Sequence, residues 1–201
     1  MVAGRGVTHS ERFEHARAHG ADMHGIQAWV ALPAELEETD PTFDHHEGED
    51  LPEWREHGVF GRLIAGEAEG LRARVRTLSP LFYMHWEMVA GARRTLGSAH
   101  RERALYVAAG EVQIDGVRLM AGQMAVLAPH HDVEVCAQAP ACVMALGGEP
   151  VGERFLYWNF VSSSRDRLEQ AKEDWRQGRM KLPAGDDEEF TPLPDEPRRD
   201  A

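Results

Sequence analysis

The chain has 201 residues, 42% of them hydrophobic and 28% charged, with a formal net charge of −12. That length buries roughly 70% of the surface the unfolded chain exposes, so a core needs no disulfide or metal to support it. The composition excludes a wholly disordered or fibrous chain. Apolar runs such as Met124–Ala128 are too short to cross a membrane as a helix. The first residues, Met-Val-Ala-Gly-Arg-Gly, hold no apolar core of a signal peptide, and a cytoplasmic protein is expected.

Charge is unevenly distributed. Residues 1–50 carry 11 acids and 3 bases, and residues 183–201 carry 7 acids and 2 bases. The acidity thus belongs to the two ends. Nucleic-acid binding needs clustered Lys and Arg, so no nucleic-acid partner is expected. Arg72, Arg74 and Arg76 alternate on an expected strand and read as a solvated face.

In chain order, the first dozen residues are a glycine-rich turn, Ala3-Gly-Arg-Gly6, running into an expected strand that presents His9 and Glu11. Alternate strand residues share a face, so an imidazole and a carboxylate point one way. That pair suits a divalent transition metal. Gly25–Leu32 reads as a buried strand stopped by Pro33. Residues 35–57 read as a polar connector. Gly58–Ala65 and Ala73–Leu78 are further expected strands.

The middle of the chain reads as short strands at close spacing. Phe82–Val89 alternates, with Met84, Trp86 and Met88 on one face and Tyr83, His85 and Glu87 on the other. Ala104–Ala109 and Glu111–Asp115 follow, divided by a bend at Gly110. Asp115-Gly116 is a hairpin signal leading into Val117–Met120. Gln123–Ala128, Val133–Ala137 and Cys142–Leu146 complete the set. The pattern predicts a sandwich or small barrel. Cys136 and Cys142 sit in apolar runs and read as buried thiols rather than a disulfide. Near the end, a helix is predicted from a Ser163 or Ser164 cap to Gly178, with Leu168, Ala171 and Trp175 on its apolar face. Residues 183–201 read as an extended or disordered acidic tail, in which Phe190 and Leu193 are candidates to pin part of it to the body.

Other candidate donors are weaker. His100-x-Glu102 lies in Gly97–Gly110, which looks like an eroded first cupin motif with Glu102 in place of one histidine. A structural barrel is the better reading there. His85-x-Glu87 is a third such pair. His130-His131 reads as a turn, and His45-His46 lies in the connector.

Several stretches resemble the pirin family of two-cupin proteins: Met1–Arg12, His24–Pro33, Leu63–Ala68, Leu78–Tyr83, Gly147–Pro150, Trp158–Ser164 and Gln170–Trp175. They keep the family's order along nearly the whole chain. The resemblance implies a mainly β cupin fold, the double-stranded β-helix or jelly-roll barrel. It implies one complete C-terminal barrel with a C-terminal helix, beside part of an N-terminal barrel. It also implies boundaries: 1–50 for the remnant of the metal-binding barrel plus acidic connector, 51–182 for the C-terminal cupin domain, and 183–201 for the tail. In pirins the N-terminal barrel holds one non-haem metal, usually iron, through three histidines and a glutamate. Carried over, His9 and Glu11 match the last two ligands. The other two sit in a His-Pro-His stretch, and this sequence has none. The chain is therefore expected to begin inside that barrel, either at an internal Met of a longer frame or as a decayed paralogue. Fe2+ is the cofactor expected of the intact family site.

Some bacterial pirins act on flavonols as dioxygenases of the quercetinase type. There Glu11 would serve as ligand and catalytic base, and His9 as ligand. With two ligands of four, no such turnover is expected of this chain. Other pirins dock on protein partners in transcription. The resemblance thus leaves a flavonol-like small aromatic substrate and a protein partner as alternatives.

Overall fold

The structure is a computed structural model describing residues 1–194. The chain forms two compact units: Asp44–Pro150, and Met1–Phe43 together with the residues from Val151 onward. The protein is mainly β, with cupin-like antiparallel sheets and one C-terminal helix.

The first of these units, residues 44–150, carries eleven strands. They are β1 (Glu53–Glu56), β2 (Val59–Ala68), β3 (Leu71–Arg72), β4 (Leu81–Met88), β5 (Arg93–Leu96) and β6 (Glu102–Ala109). They continue with β7 (Glu111–Ile114), β8 (Val117–Met120), β9 (Met124–Val126), β10 (Val133–Ala137) and β11 (Ala141–Gly148). One sheet runs β1-β2-β4-β11-β6-β9, with β3 on β2, and the other runs β5-β10-β7-β8. Neighbours distant in sequence, such as β4 with β11 and β5 with β10, are the crossovers a jelly roll requires.

Strand alternation makes the core. On β4, Phe82, Met84, Trp86 and Met88 are buried, while Tyr83 and His85 are half-buried and Glu87 is exposed. Leu63 of β2, Leu105 and Val107 of β6, and Val143 and Ala145 of β11 join them. Val112 and Ile114 of β7 and Val133 and Val135 of β10 bring the second sheet into the same apolar cluster. The β7–β8 hairpin turns at Asp115 and Gly116, both at positive φ (45° and 84°), as a tight two-residue turn needs.

Four secondary-structure expectations fail locally. No strand forms over 73–78, because β3 stops at Arg72 after pairing with Glu67 and Ala68. The three arginines still sit as a solvated group, with Arg72 bonded to Glu67 and Arg74 to Asp50. The polar connector contains β1, whose Trp54 packs against the core. Gly25–Leu32 belongs to no strand among the described residues and is largely exposed, with Ile26 at 45% and Trp29 at 54%. An apolar run makes a strand only where a neighbouring strand can take its backbone bonds. The fourth is the expected strand at His9, described below. Cys136 and Cys142 are free thiols, each half-buried rather than fully buried.

The other unit contains α1 (Glu14–His19), the hairpin β12 (Phe155–Tyr157) with β13 (Phe160–Ser162), and α2 (Arg165–Arg176). Ser164 caps α2, its hydroxyl accepting from the Arg167 N–H. Leu168 and Ala171 are buried on its apolar face. Leu193, in the tail, is 1% exposed, and Phe190 lies edge-on to Trp175 with ring centroids 6.0 Å apart. The part of the tail from Asp195 on lies outside the described residues.

Candidate functional site

The segment bearing His9 and Glu11 begins at a turn. Gly4 is at φ +50°, and a Cβ there would stand 2.0 Å from the Thr39 carbonyl oxygen, so only glycine lets this backbone lie against residue 39. The Arg5 N–H donates to Thr39 and the Gly6 N–H to Ala3, while Val2 bridges to Thr42.

Beyond the turn the chain is irregular, not a strand, and both His9 and Glu11 are exposed. Side chains on either side of them hold it. The Thr8 hydroxyl donates to the Lys181 carbonyl at 2.6 Å. Arg12 donates to Asp186 at 2.8 Å and to Glu189 at 3.1 Å. Arg167 donates to the Arg5 carbonyl at 2.8 Å and to Glu38 at 2.7 Å. The Arg12 guanidinium holds the Asp186 carboxyl down to a pKa of about 2, with a further bond from Ser10. Beside this segment lies a surface cavity of about 400 Å³ lined by Glu11, Arg12, Phe13, Arg17 and Met23 among others.

A second polar centre lies at Glu37. Its carboxylate stands 2.7 Å from Arg154 Nε and accepts from the Ser163 N–H and from both Ser162 and Ser163 hydroxyls at 2.9–3.0 Å. Arg154 also donates to the Leu32 carbonyl at 2.7 Å. This network joins residues 32–38 to β13 and the α2 cap, and it was not foreseen from sequence.

The remaining candidate donors do not converge. In residues 44–150, His85 Nε2 lies 3.2 Å from Cys142 Sγ and 3.9 Å from Glu87. Burial, and then the charge of Glu87, push the Cys142 thiol up, which leaves it protonated and a poor ligand. Burial raises Tyr83 as well, with a smaller contribution from Cys142. His100 lies 3.5 Å from Glu149 and beside Phe82. Glu102 is exposed, because the inward positions of β6 are Arg103, Leu105 and Val107. Arg103, 2% exposed, points inward instead and donates to Gly97 at 2.9 Å, Ala128 at 2.7 Å and His131 at 2.8 Å, with a longer contact to Leu96. His131 meets Asp115 at 3.1 Å and His130 is at positive φ, as a turn requires. His45 meets only Glu47 among these donors.

Among the described residues no three His, Cys, Asp or Glu side chains gather to hold a metal ion. His9 and Glu11 are two exposed donors on irregular backbone. A resident iron ion does not fit that donor set by itself. No helix among the described residues is long and apolar enough to cross a membrane.

Cupin-like sheets of antiparallel strands with crossover pairing, packed around one apolar cluster in residues 44–150, define a cupin-type protein. The comparisons name the family. Residues 83–181 match the model of the Pirin C-terminal cupin domain. A pirin-like protein of Caulobacter vibrioides is 57% identical over 97% of this chain and 68% of its own length. A putative quercetin 2,3-dioxygenase of Pseudomonas aeruginosa is 34% identical over 89% of this chain and 56% of its own. The crystal structure of a quercetin 2,3-dioxygenase from Acinetobacter baumannii superposes with a TM-score of 0.76 at 25% identity, covering 86% of this chain and 59% of that one. The chain belongs to the pirin family.

Proposed function

We propose that this chain acts as a metal-independent binding module of the pirin family. In this reading residues 51–182 supply the family's complete C-terminal cupin barrel with its helix. Residues 1–50 supply part of a metal-binding barrel and an acidic connector, and residues 183–201 supply the acidic tail. His9 and Glu11 stand at two of the family's metal-ligand positions.

The observation that carries the reading is the donor set: both residues are exposed, and among the described residues no third donor joins them. Two donors neither saturate an iron ion nor select it over other metals. The interior of residues 44–150 is apolar, with Arg103 as its buried cation.

A second reading, a flavonol dioxygenase using Fe2+ with Glu11 as base, is favoured by the names of the relatives that are putative quercetin 2,3-dioxygenases. One experiment separates the two. The purified chain is incubated with Fe(II), passed through a desalting column, and measured for bound iron and for quercetin consumption. The module reading expects substoichiometric iron, unchanged by His9→Ala, and quercetin loss no faster than with free Fe(II). Stoichiometric iron that is lost in His9→Ala, together with quercetin turnover, would overturn it.

A further inference from the structure

In the unit that contains α2, the tail is bound as a ligand would be. Four kinds of contact repeat the elements of peptide recognition. The indole N–H of Trp175 donates to the Thr191 carbonyl at 2.9 Å, a side-chain bond to the tail backbone. Phe190 completes an aromatic row, meeting Trp175 edge-on, and Trp175 meets Trp158 at 5.5 Å between centroids. Leu193 is 1% exposed, the deepest anchor in the segment. Arg12 takes both Asp186 and Glu189.

The occupant has a readable pattern. Asp186, Glu189, Phe190 and Leu193 stand at positions 1, 4, 5 and 8 of Asp-Asp-Glu-Glu-Phe-Thr-Pro-Leu. Pro192 fixes one φ between the two apolar anchors. The acidic residues meet a cation, the aromatic meets a tryptophan, and the leucine is buried.

Apart from Leu193, the contacts of the segment lie near the surface. Arg12 is 45% exposed, Glu189 is 78% exposed and Phe190 is 50% exposed. Exposed ion pairs contribute little and are screened by salt. A competitor that makes the same contacts could take the place of a strap whose ionic clasp is this exposed.

We propose that α2, the β12–β13 hairpin and Arg12 form a recognition groove for extended acidic peptides of the pattern Asp-x-x-Glu-Phe-x-x-Leu, and that residues 186–193 occupy it in cis. The partner is a protein that presents such a segment, and its binding displaces the tail. The groove works without metal, so the proposal stands whether or not iron binds at His9 and Glu11.

The test uses the full chain and a fluorescently labelled peptide of residues 184–194, followed by anisotropy without added metal. In the unaltered chain the tail competes at an effective concentration on the order of millimolar, so the peptide binds weakly. Two variants release the tail by different routes: Leu193→Asp removes the anchor, and the double variant Asp186→Lys with Glu189→Lys removes the ionic clasp and leaves every apolar side chain in place. Each is expected to bind the peptide about tenfold tighter than the unaltered chain, because the cis competitor is weakened. Adding Arg12→Glu to either variant is expected to abolish the gain. If neither variant binds more tightly, or if the gain survives Arg12→Glu, the proposal fails. Should Leu193→Asp fail to fold, the lysine double variant decides the matter alone.

Discussion

Glu37 and Arg154 form an ion pair of 2.7 Å whose two side chains are only 14% and 10% exposed. Glu37 also accepts from Ser162 and Ser163, directly before the helix cap. The carboxylate therefore fixes where β13 ends and α2 begins. Removing one partner of such a pair leaves the other charged and out of water. Glu37→Ala is expected to lower stability by about 3 kcal/mol in denaturant titration, since a broken buried pair costs that much. A companion Glu37→Ala, Arg154→Met double variant is expected to recover part of the loss. Equal stability of Glu37→Ala and the unaltered chain would show the pair contributes nothing.

Arg103 offers a second stability test. Its guanidinium serves carbonyls from residues 96–97 and residues 128–131 with no carboxylate among those partners. Arg103→Met keeps apolar volume but strands those carbonyls. A loss of about 2–4 kcal/mol is expected in urea unfolding, from several unmet acceptors together. Arg103→Lys is expected to recover little, because an ammonium cannot reproduce the planar fork.

The Arg12–Asp186 contact predicts a pH dependence. The Asp186 pKa is held at about 2 in the folded chain, below the unfolded value of about 3.9. A depressed carboxyl pKa gives stability that is present above the unfolded value and is lost as pH falls through the folded one. Tail docking is therefore expected to weaken between about pH 4 and pH 2, read by Trp175 fluorescence. In Arg12→Ala the Asp186 carboxyl is expected to titrate higher, closer to the ordinary aspartate value, by NMR, with the Ser10 bond still lowering it. An unchanged titration would remove Arg12 as its cause.

Cys142 is expected to be the slow thiol. Burial raises its pKa above the usual cysteine value, so at pH 8 its thiolate fraction is smaller than that of a free cysteine. Alkylation by iodoacetamide, followed by peptide mass spectrometry, should lag behind a model thiol at pH 8 and gain on it as pH rises. Glu87→Gln removes the secondary cause and is expected to speed the reaction slightly, with burial still dominant.

The sheets in residues 44–150 were largely legible because their signals are local. Met84, Trp86 and Met88 alternate with polar or smaller neighbours, and Asp115-Gly116 states its turn outright. Arg93–Leu96 gave no such signal: its residues are Arg-Arg-Thr-Leu, and it becomes a strand because β10 supplies the partner. Gly25–Leu32 shows the reverse, an apolar run with no ladder among the described residues. The place of Arg103 could have been read from parity. Leu105 and Val107 face inward on β6, and counting back by two puts Arg103 inward and Glu102 outward. The Glu37 network was not legible, since its partners lie more than a hundred residues along the chain. Family membership was legible from ordered motifs, while the position of His9 and Glu11 on irregular backbone depended on what surrounds them.

The bonds of Arg103 also bear on the order in which the molecule comes apart. Its fork joins a loop before β6 to the loop between β9 and β10, so it is complete only when both loops have taken their final shape. A contact of that kind is expected to form late in folding and to break early in unfolding. Loss of Arg103 is therefore expected to appear mainly as faster unfolding, with the refolding rate nearly unchanged. The guanidinium is then a latch on the lifetime of the folded state.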